Sequence, residues 1–229
     1  NHGGTEMGQG VNTKVAQVVA HELGIPLDRV RCTATDTSKV ANTSATAAST
    51  AADLNGKAAQ AAARTVKERL AAFAASKAGT AASEVVFAGG RCTAGGREWT
   101  FPQLVSDAYF ARVQLWSDGF YATPKIHWDR EKMQGRPFFY FAYGAAAAEV
   151  VVDTLTGESR VLRADVLHDS GNPLNPAIDL AEVEGAFVQG QGWLTTEELV
   201  WHPQSGKLLT HGPSTYKIPT ANDCPPDFR

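Results

Sequence analysis

The chain has 229 residues, enough to bury the core of one large domain or two small ones. Hydrophobic residues make up 43% and charged residues 20%, and the formal net charge is −3. This balance argues against nucleic acid or an anionic membrane as a partner. No apolar run approaches the roughly 20 residues that a membrane span needs, and no signal peptide is visible.

The cysteines and the chain ends also limit the interpretation. Cys32, Cys92 and Cys224 lie far apart, which suits neither a disulfide framework nor a metal-ligand cluster. We therefore expect a reducing, cytoplasmic location. The sequence starts at Asn1 without a Met and runs to Arg229 without an evident stop, so we expect a fragment of a longer protein.

Four elements are predicted in the first half of the chain. Apolar residues at helical spacing predict a helix over 11–23, which ends at Gly24. Residues 30–35 alternate like a half-buried strand. An alanine-rich helix is predicted from about 54 to 75. Thr100-Phe101-Pro102-Gln103 is typical of a capping box and should open a helix that runs to about Phe110.

The second half is predicted to contain hairpins and one glycine-rich helix. Residues 149–153 and 159–167 read as two strands joined by a turn. A helix should follow over 179–199, then a second hairpin over 200–209 and an extended tail over 212–229.

We divide the chain into a first part (1–118), an irregular connection (119–137) and a second part (138–229). The connection should be either a mobile loop or a surface that another subunit covers. Because helices and strands do not alternate regularly, we expect a layered α+β fold.

Two polar segments could approach a ligand. Gly8-Gln9-Gly10 opens a helix, where backbone N–H groups can bind an anion, although it could equally be a plain glycine turn. It lacks the Lys of a phosphate-binding P-loop. Thr43 to Thr50 carries small and hydroxyl side chains that allow close approach to a ligand; the alternative is a flexible linker.

A third segment is the glycine-rich helix, where Glu184 to Gly192 contains three glycines. Each costs about 1 kcal/mol relative to alanine, so either close packing or a ligand should require them. The six histidines are scattered, and no nucleophile elbow or paired carboxylates appear. A cofactor would therefore have to carry any chemistry.

Four motifs in order resemble the xanthine dehydrogenase and aldehyde oxidase family. Gly3-Gly4-Thr5-Glu6-Met7-Gly8-Gln9-Gly10 resembles its molybdopterin-binding loop, and Asn42 to Ser49 its second pterin loop. Leu174 to Asp179 and Val183 to Gly190 resemble a third family motif, and Gly212 to Pro219 resembles a fourth. The Ser-Thr pair before Tyr216 is closer to xanthine dehydrogenases than to aldehyde oxidases.

The resemblance implies the layered α+β fold of a molybdenum-cofactor-binding domain, present here in part. It implies a hydroxylase that converts hypoxanthine and xanthine to urate with water-derived oxygen. FAD and 2Fe-2S clusters are expected on other domains or on a partner subunit, in a homodimeric or heterotetrameric protein. By motif, molybdopterin would be held by Met7, Gly8, Gln9, Ala48, Ser49, Thr50 and Gln189.

The same resemblance implies that no catalytic residue and no protein metal ligand lies in these 229 residues. The family's catalytic Glu belongs to a Gly-Glu-Pro-Pro segment that is expected beyond Arg229, so the isolated chain is expected to be inactive. Three alternatives to the purine hydroxylase stay open at this point. They are an aldehyde oxidase-type enzyme, a non-enzymatic assembly module and an anion- or nucleotide-binding domain.

Overall fold

A computed structural model describes residues 1–41 and 43–229; Asn42, the first residue of the second pterin-like motif, lies outside them. The chain forms two compact units, Asn1–Phe139 and Tyr140–Arg229. Each unit mixes helices with small sheets, as expected for an α+β fold.

Helix α1 covers Val11–Leu23, as the apolar spacing predicts. It buries its apolar face, which includes Val11 and Val15. The helix ends at Gly24, whose φ of 63° is left-handed and whose N–H bonds the last carbonyls. A Cβ at Gly24 would lie 2.4 Å from the Phe87 carbonyl oxygen, so only glycine fits there.

Helix α2 covers Ala51–Ala78 and is longer at both ends than the predicted 54–75. The alanines that flank the predicted span are strong helix formers, and the helix stops only at Gly79, with φ 70°. Glu22 of α1 ties the two helices together. Its carboxylate lies 3.5 Å from Arg64 and 3.5 Å from Lys67, both on α2.

Three short strands, which sequence patterning missed, follow α2. They are β1 (Val86–Ala88), β2 (Arg91–Ala94) and β3 (Arg97–Thr100), paired antiparallel in that order. Strands of three or four residues are too short to show a clear alternation. The available signal was the pair of Gly-Gly turns between them, at 89–90 and 95–96, where all four glycines have positive φ.

Helix α3 covers Phe101–Phe110, and its predicted capping box is confirmed. The Gln103 N–H donates to Thr100 Oγ1 at 3.3 Å, and the Thr100 N–H donates to Gln103 Oε1 at 3.1 Å. The helix packs on α2 and β2 around the core of the first unit. That core contains Leu70, Ala74, Cys92, Ala94, Leu104 and Ala108.

Two predictions in the first unit were wrong. Residues 30–35 form no strand, because their side chains bond the N-terminal segment instead of a neighbouring strand. For example, Thr35 Oγ1 donates to the Gly4 carbonyl at 2.7 Å. The connection expected to be irregular contains a small exposed hairpin of β4 (His127–Asp129) and β5 (Gln134–Arg136).

The predicted long hairpin of the second unit is confirmed, with β6 at Gly144–Val152 and β7 at Ser159–His168. The Asp153 carboxylate shapes the turn by accepting the Leu155 N–H at 2.8 Å. The tail is not simply extended. Its strand β8, Asp227–Phe228, pairs in parallel with β7.

Helix α4 covers Pro176–Thr195, three to four residues earlier at each end than predicted. The helix begins earlier than predicted because Asn175 caps it and accepts the Ile178 N–H at 3.2 Å. Pro176 also suits the first helical position. The second predicted hairpin is reduced to one bridge, between Trp201 and Leu208.

The glycines of α4 have different surroundings. A Cβ at Gly192 would lie 2.4 Å from Glu197 Oε1 and 2.4 Å from Pro219 Cδ, so close packing requires this glycine. A Cβ at Gly185 would meet nothing within 4 Å, and one at Gly190 would meet only Trp193 Nε1, at 3.9 Å. Packing among the described residues therefore explains one glycine of the three.

We predict opposite effects of alanine at two of these positions. Gly192→Ala should lower the free energy of unfolding by about 1–3 kcal/mol, because the methyl overpacks the contact with Pro219. Gly185→Ala should raise it by up to about 1 kcal/mol, because alanine favours the helix and the space is open. Urea denaturation of the 229-residue chain measures both. Equal effects of the two substitutions would contradict the packing assignment.

Candidate functional site

We call Gly3 to Gly10 the first loop and Thr43 to Thr50 the second loop. Gly3 lets them approach, since a Cβ there would lie 2.1 Å from Thr43 Cγ2. The Thr5 N–H donates to Thr46 Oγ1 at 2.8 Å, across 41 positions of the chain. The second loop is thus bonded to the first, which disfavours a free linker.

The Gln9 side chain closes the first loop on itself. Its Oε1 accepts the Met7 N–H at 2.6 Å, and its Nε2 donates to the Thr5 carbonyl at 2.8 Å. At the tip, the Met7 side chain is 70% exposed, and a Cβ at Gly8 would meet nothing within 4 Å. The Met7-Gly8 corner is therefore held from inside and open to solvent outside.

The side chain of Glu6, a residue that sequence reasoning did not single out, lies at the start of α1. Its carboxylate accepts the N–H groups of Gly8, Gly10 and Asn12, each at 2.9 Å. Burial alone would raise the pKa of Glu6, but these three donors lower it below its ordinary value. An anionic group does lie at this helix start, and it is a carboxylate of the chain itself.

His2 is a buried anchor beneath the first loop. Its Nδ1 accepts the Gly4 N–H at 3.1 Å, and its Nε2 lies 2.8 Å from Asn12 Oδ1. Since Asn12 Oδ1 can only accept, the neutral ring carries its proton on Nε2. Burial lowers the pKa of His2 below 6.5, against the opposing effect of the Asn12 hydrogen bond.

The second loop has an unusual backbone. Ala48 and Ser49 have φ of 55° and 56°, a left-handed conformation that costs non-glycine residues about 1–3 kcal/mol each. Thr50 follows as the N-cap of α2 but makes no side-chain cap to the helix. Its hydroxyl donates to the Ala47 carbonyl at 3.1 Å instead.

Gln189 belongs to the second unit, where it lies on α4 with an exposed side chain. In the fourth family-like segment, the Tyr216 hydroxyl donates to Glu197 Oε2 at 2.5 Å. That bond to Glu197 raises the pKa of Tyr216. The segment also borders an apolar cavity of about 400 Å³, lined in part by Leu199, Leu208 and Ile218.

Other groups add little to the site. All three cysteines, each within the described residues, are free thiols. Outside position 42, no group of three His, Cys, Asp or Glu side chains is placed to hold a metal ion. Across residues 1–41 and 43–229, no helix combines the length and apolarity required to cross a membrane.

We predict that mild acid loosens the His2 anchor first. Protonation adds a hydrogen to Nδ1, which then faces the Gly4 N–H. Because the folded pKa is depressed, this stabilisation is complete above pH 6.5 and is lost as pH falls through the folded pKa.

Hydrogen exchange with residue resolution, corrected for intrinsic rates, should show Gly4 protected above pH 6.5 and losing protection as the pH falls below that value. Gly8 and Gly10 serve as internal controls. They should respond only below the ordinary Glu6 value of 4.5, because the pKa of Glu6 is also lowered. Gly4 protection that persists until Gly8 and Gly10 also lose theirs would contradict the prediction that the His2 anchor loosens first.

Comparison with known proteins identifies the family. Residues 1–225 match the family model of a molybdopterin cofactor-binding domain. A xanthine dehydrogenase/oxidase of Mus musculus is 46% identical over 228 residues, and a xanthine dehydrogenase of Emericella nidulans is 43% identical over 227. These alignments cover 100% and 99% of this chain but only 16% and 15% of those proteins.

Solved structures agree on the fold. Quinoline 2-oxidoreductase from Pseudomonas putida 86 matches 99% of this chain and 28% of its own, with a TM-score of 0.77 and 26% identity. A Cu,Mo-CO dehydrogenase matches with a TM-score of 0.76 at 23% identity, which shows the fold alone. The resemblance drawn from the four motifs and the expected α+β fold are both confirmed. The chain belongs to the molybdopterin cofactor-binding domain family and is similar, over its whole length, to a part of the xanthine dehydrogenases.

Proposed function

We propose that the first and second loops together hold molybdopterin in a xanthine dehydrogenase-like hydroxylase. The observation that carries this proposal is the Thr5–Thr46 hydrogen bond, which joins the two loops directly. Both loops belong to motifs that resemble pterin loops of the family, and both precede long helices. Through this contact, the two sequence motifs lie side by side and form one surface.

The residues of this surface fit a pterin with an anionic phosphate. The Met7-Gly8 corner is open, so its backbone could bond a heterocycle edge. Gln9 would keep the corner in shape. Its amide carries two N–H donors, and the contact with the Thr5 carbonyl uses one, which leaves a second for the pterin.

We propose that the phosphate end lies at residues 48–50 rather than at the start of α1. Glu6 already bonds the N–H donors at the α1 start, so a second anion there would be repelled. At the start of α2, the Thr50 side chain does not cap the helix. The left-handed backbone at Ala48 and Ser49 also departs from ordinary loop geometry, as often occurs at ligand sites.

Gln189 is proposed as the contribution of α4. Its side chain is exposed, and the neighbouring Gly185 and Gly190 leave open space above the helix. A ligand could approach the α4 backbone closely there. Gly185 and Gly190 would serve to allow this close approach, since packing among the described residues does not explain them.

The complete protein is proposed to be a purine hydroxylase. When bound, the molybdenum cofactor would supply the oxidation–reduction chemistry that converts hypoxanthine and xanthine to urate with oxygen from water. FAD and 2Fe-2S clusters on other domains or on a partner subunit would take the electrons, in a homodimer or a heterotetramer. The three free thiols are consistent with a cytoplasmic location. Urate formation from xanthine supports a purine enzyme, whereas oxidation of aldehydes alone would favour the aldehyde-oxidising alternative.

The molybdenum content of the complete protein tests the cofactor proposal. The wild type should contain molybdenum and pterin, and Gln9→Ala should lower both about 10-fold or more, by the precedent of residues that support metal sites. Gln60→Ala is a matched control in the same unit, because the Gln60 amide bonds Glu22 at 3.1 Å, away from both loops. Wild-type protein without molybdenum, or full occupancy in Gln9→Ala, would contradict the proposal.

A further inference from the structure

One carboxylate organises the whole tip of the first loop. Glu6 Oε1 accepts two N–H groups, those of Gly8 and Gly10, and Glu6 Oε2 accepts that of Asn12. The three bonds are all 2.9 Å long and come from alternate residues. They join the loop to the first turn of α1 at a single point.

The backbone of the loop is consistent with this arrangement. Gly8 and Gly10 have φ of 107° and 76°, which turns their N–H groups toward the inside of the loop. Gln9 closes the opposite side through the Met7 N–H and the Thr5 carbonyl. Because the N–H groups of Met7, Gly8 and Gly10 are bonded to Gln9 and Glu6, the carbonyl groups of Met7 and Gly8 are the backbone groups with which this corner could bond a ligand.

We propose that Glu6 is a positioning residue for the molybdopterin, acting through the shape of the Met7-Gly8-Gln9 corner. This inference rests on the proposed function of the first loop. The proposed role is positioning rather than catalysis, because both carboxylate oxygens of Glu6 accept backbone N–H groups of the loop and of α1. Its contribution is to hold the corner in one conformation before the cofactor binds, which lowers the ordering cost of binding.

Three backbone N–H groups donate to the two oxygens of Glu6, and this number of donors requires a glutamate. Glutamine has one acceptor oxygen, so its NH₂ group would face the Asn12 N–H or the two glycine N–H groups. Aspartate keeps the charge but is one methylene shorter, so it could not reach all three donors in the same loop conformation. Glu6→Gln and Glu6→Asp therefore perturb the same geometry by different means.

The test uses the complete protein carrying Glu6→Gln. Molybdenum and pterin are quantified on purification and again during timed dialysis, and exchange of the Gly8 and Gly10 amides is followed in parallel. We expect cofactor loss about 10-fold faster than in the wild type, by the precedent of residues that orient metal ligands from behind. Faster exchange at Gly8 and Gly10 should accompany that loss. Xanthine turnover per bound molybdenum should change less than the occupancy does.

Glu22→Gln is the matched control. It makes the same chemical change on α1 but removes the charge that pairs with Arg64 and Lys67, and it leaves the bonds of the loop in place. It should retain cofactor at the wild-type rate even if it lowers thermal stability. If Glu6→Gln does not fold, Glu6→Asp is measured in its place, with faster cofactor loss expected again.

Two negative results have separate meanings. Wild-type protein that contains no molybdopterin overturns the proposed function and this inference with it. Wild-type protein that holds molybdopterin, with a Glu6 variant that loses it no faster than Glu22→Gln does, overturns the positioning role alone.

Discussion

The three hydrogen bonds that the Glu6 carboxylate accepts are the constraint on which the first loop depends. A helix start leaves several backbone N–H groups without partners inside the helix, and an anion is their natural complement. In this chain the complement is internal, because the Glu6 carboxylate accepts the N–H groups of Gly8, Gly10 and Asn12. The second loop is then positioned against that shape through Thr46 and the close approach at Gly3.

This constraint changes the meaning of the glycines in the first loop. From composition, Gly8-Gln9-Gly10 could be either an anion-binding helix start or a plain turn. The structure combines the two, because the glycines make the turn and the anion that binds there is the chain's own Glu6. We therefore propose that the phosphate of a cofactor binds at Ala48, Ser49 and Thr50, where Thr50 makes no side-chain cap to α2.

Features that depend on neighbouring residues could be predicted from the sequence. The capping box at Thr100, the apolar spacing of α1 and the β6–β7 hairpin all follow from local chemistry. Features that depend on distant partners could not. The Thr5–Thr46 bond joins residues 41 positions apart, and residues 30–35 alternate like a strand but find no strand to pair with.

The most direct test of the account is an experimental structure of the complete protein with its cofactor bound. We predict the pterin within hydrogen-bond distance of the Met7-Gly8-Gln9 corner and the phosphate at residues 48–50. Glu6 should accept the N–H groups of Gly8 and Gly10 in that structure also. A phosphate that replaces the Glu6 carboxylate at the start of α1, or a pterin bound away from both loops, would contradict it.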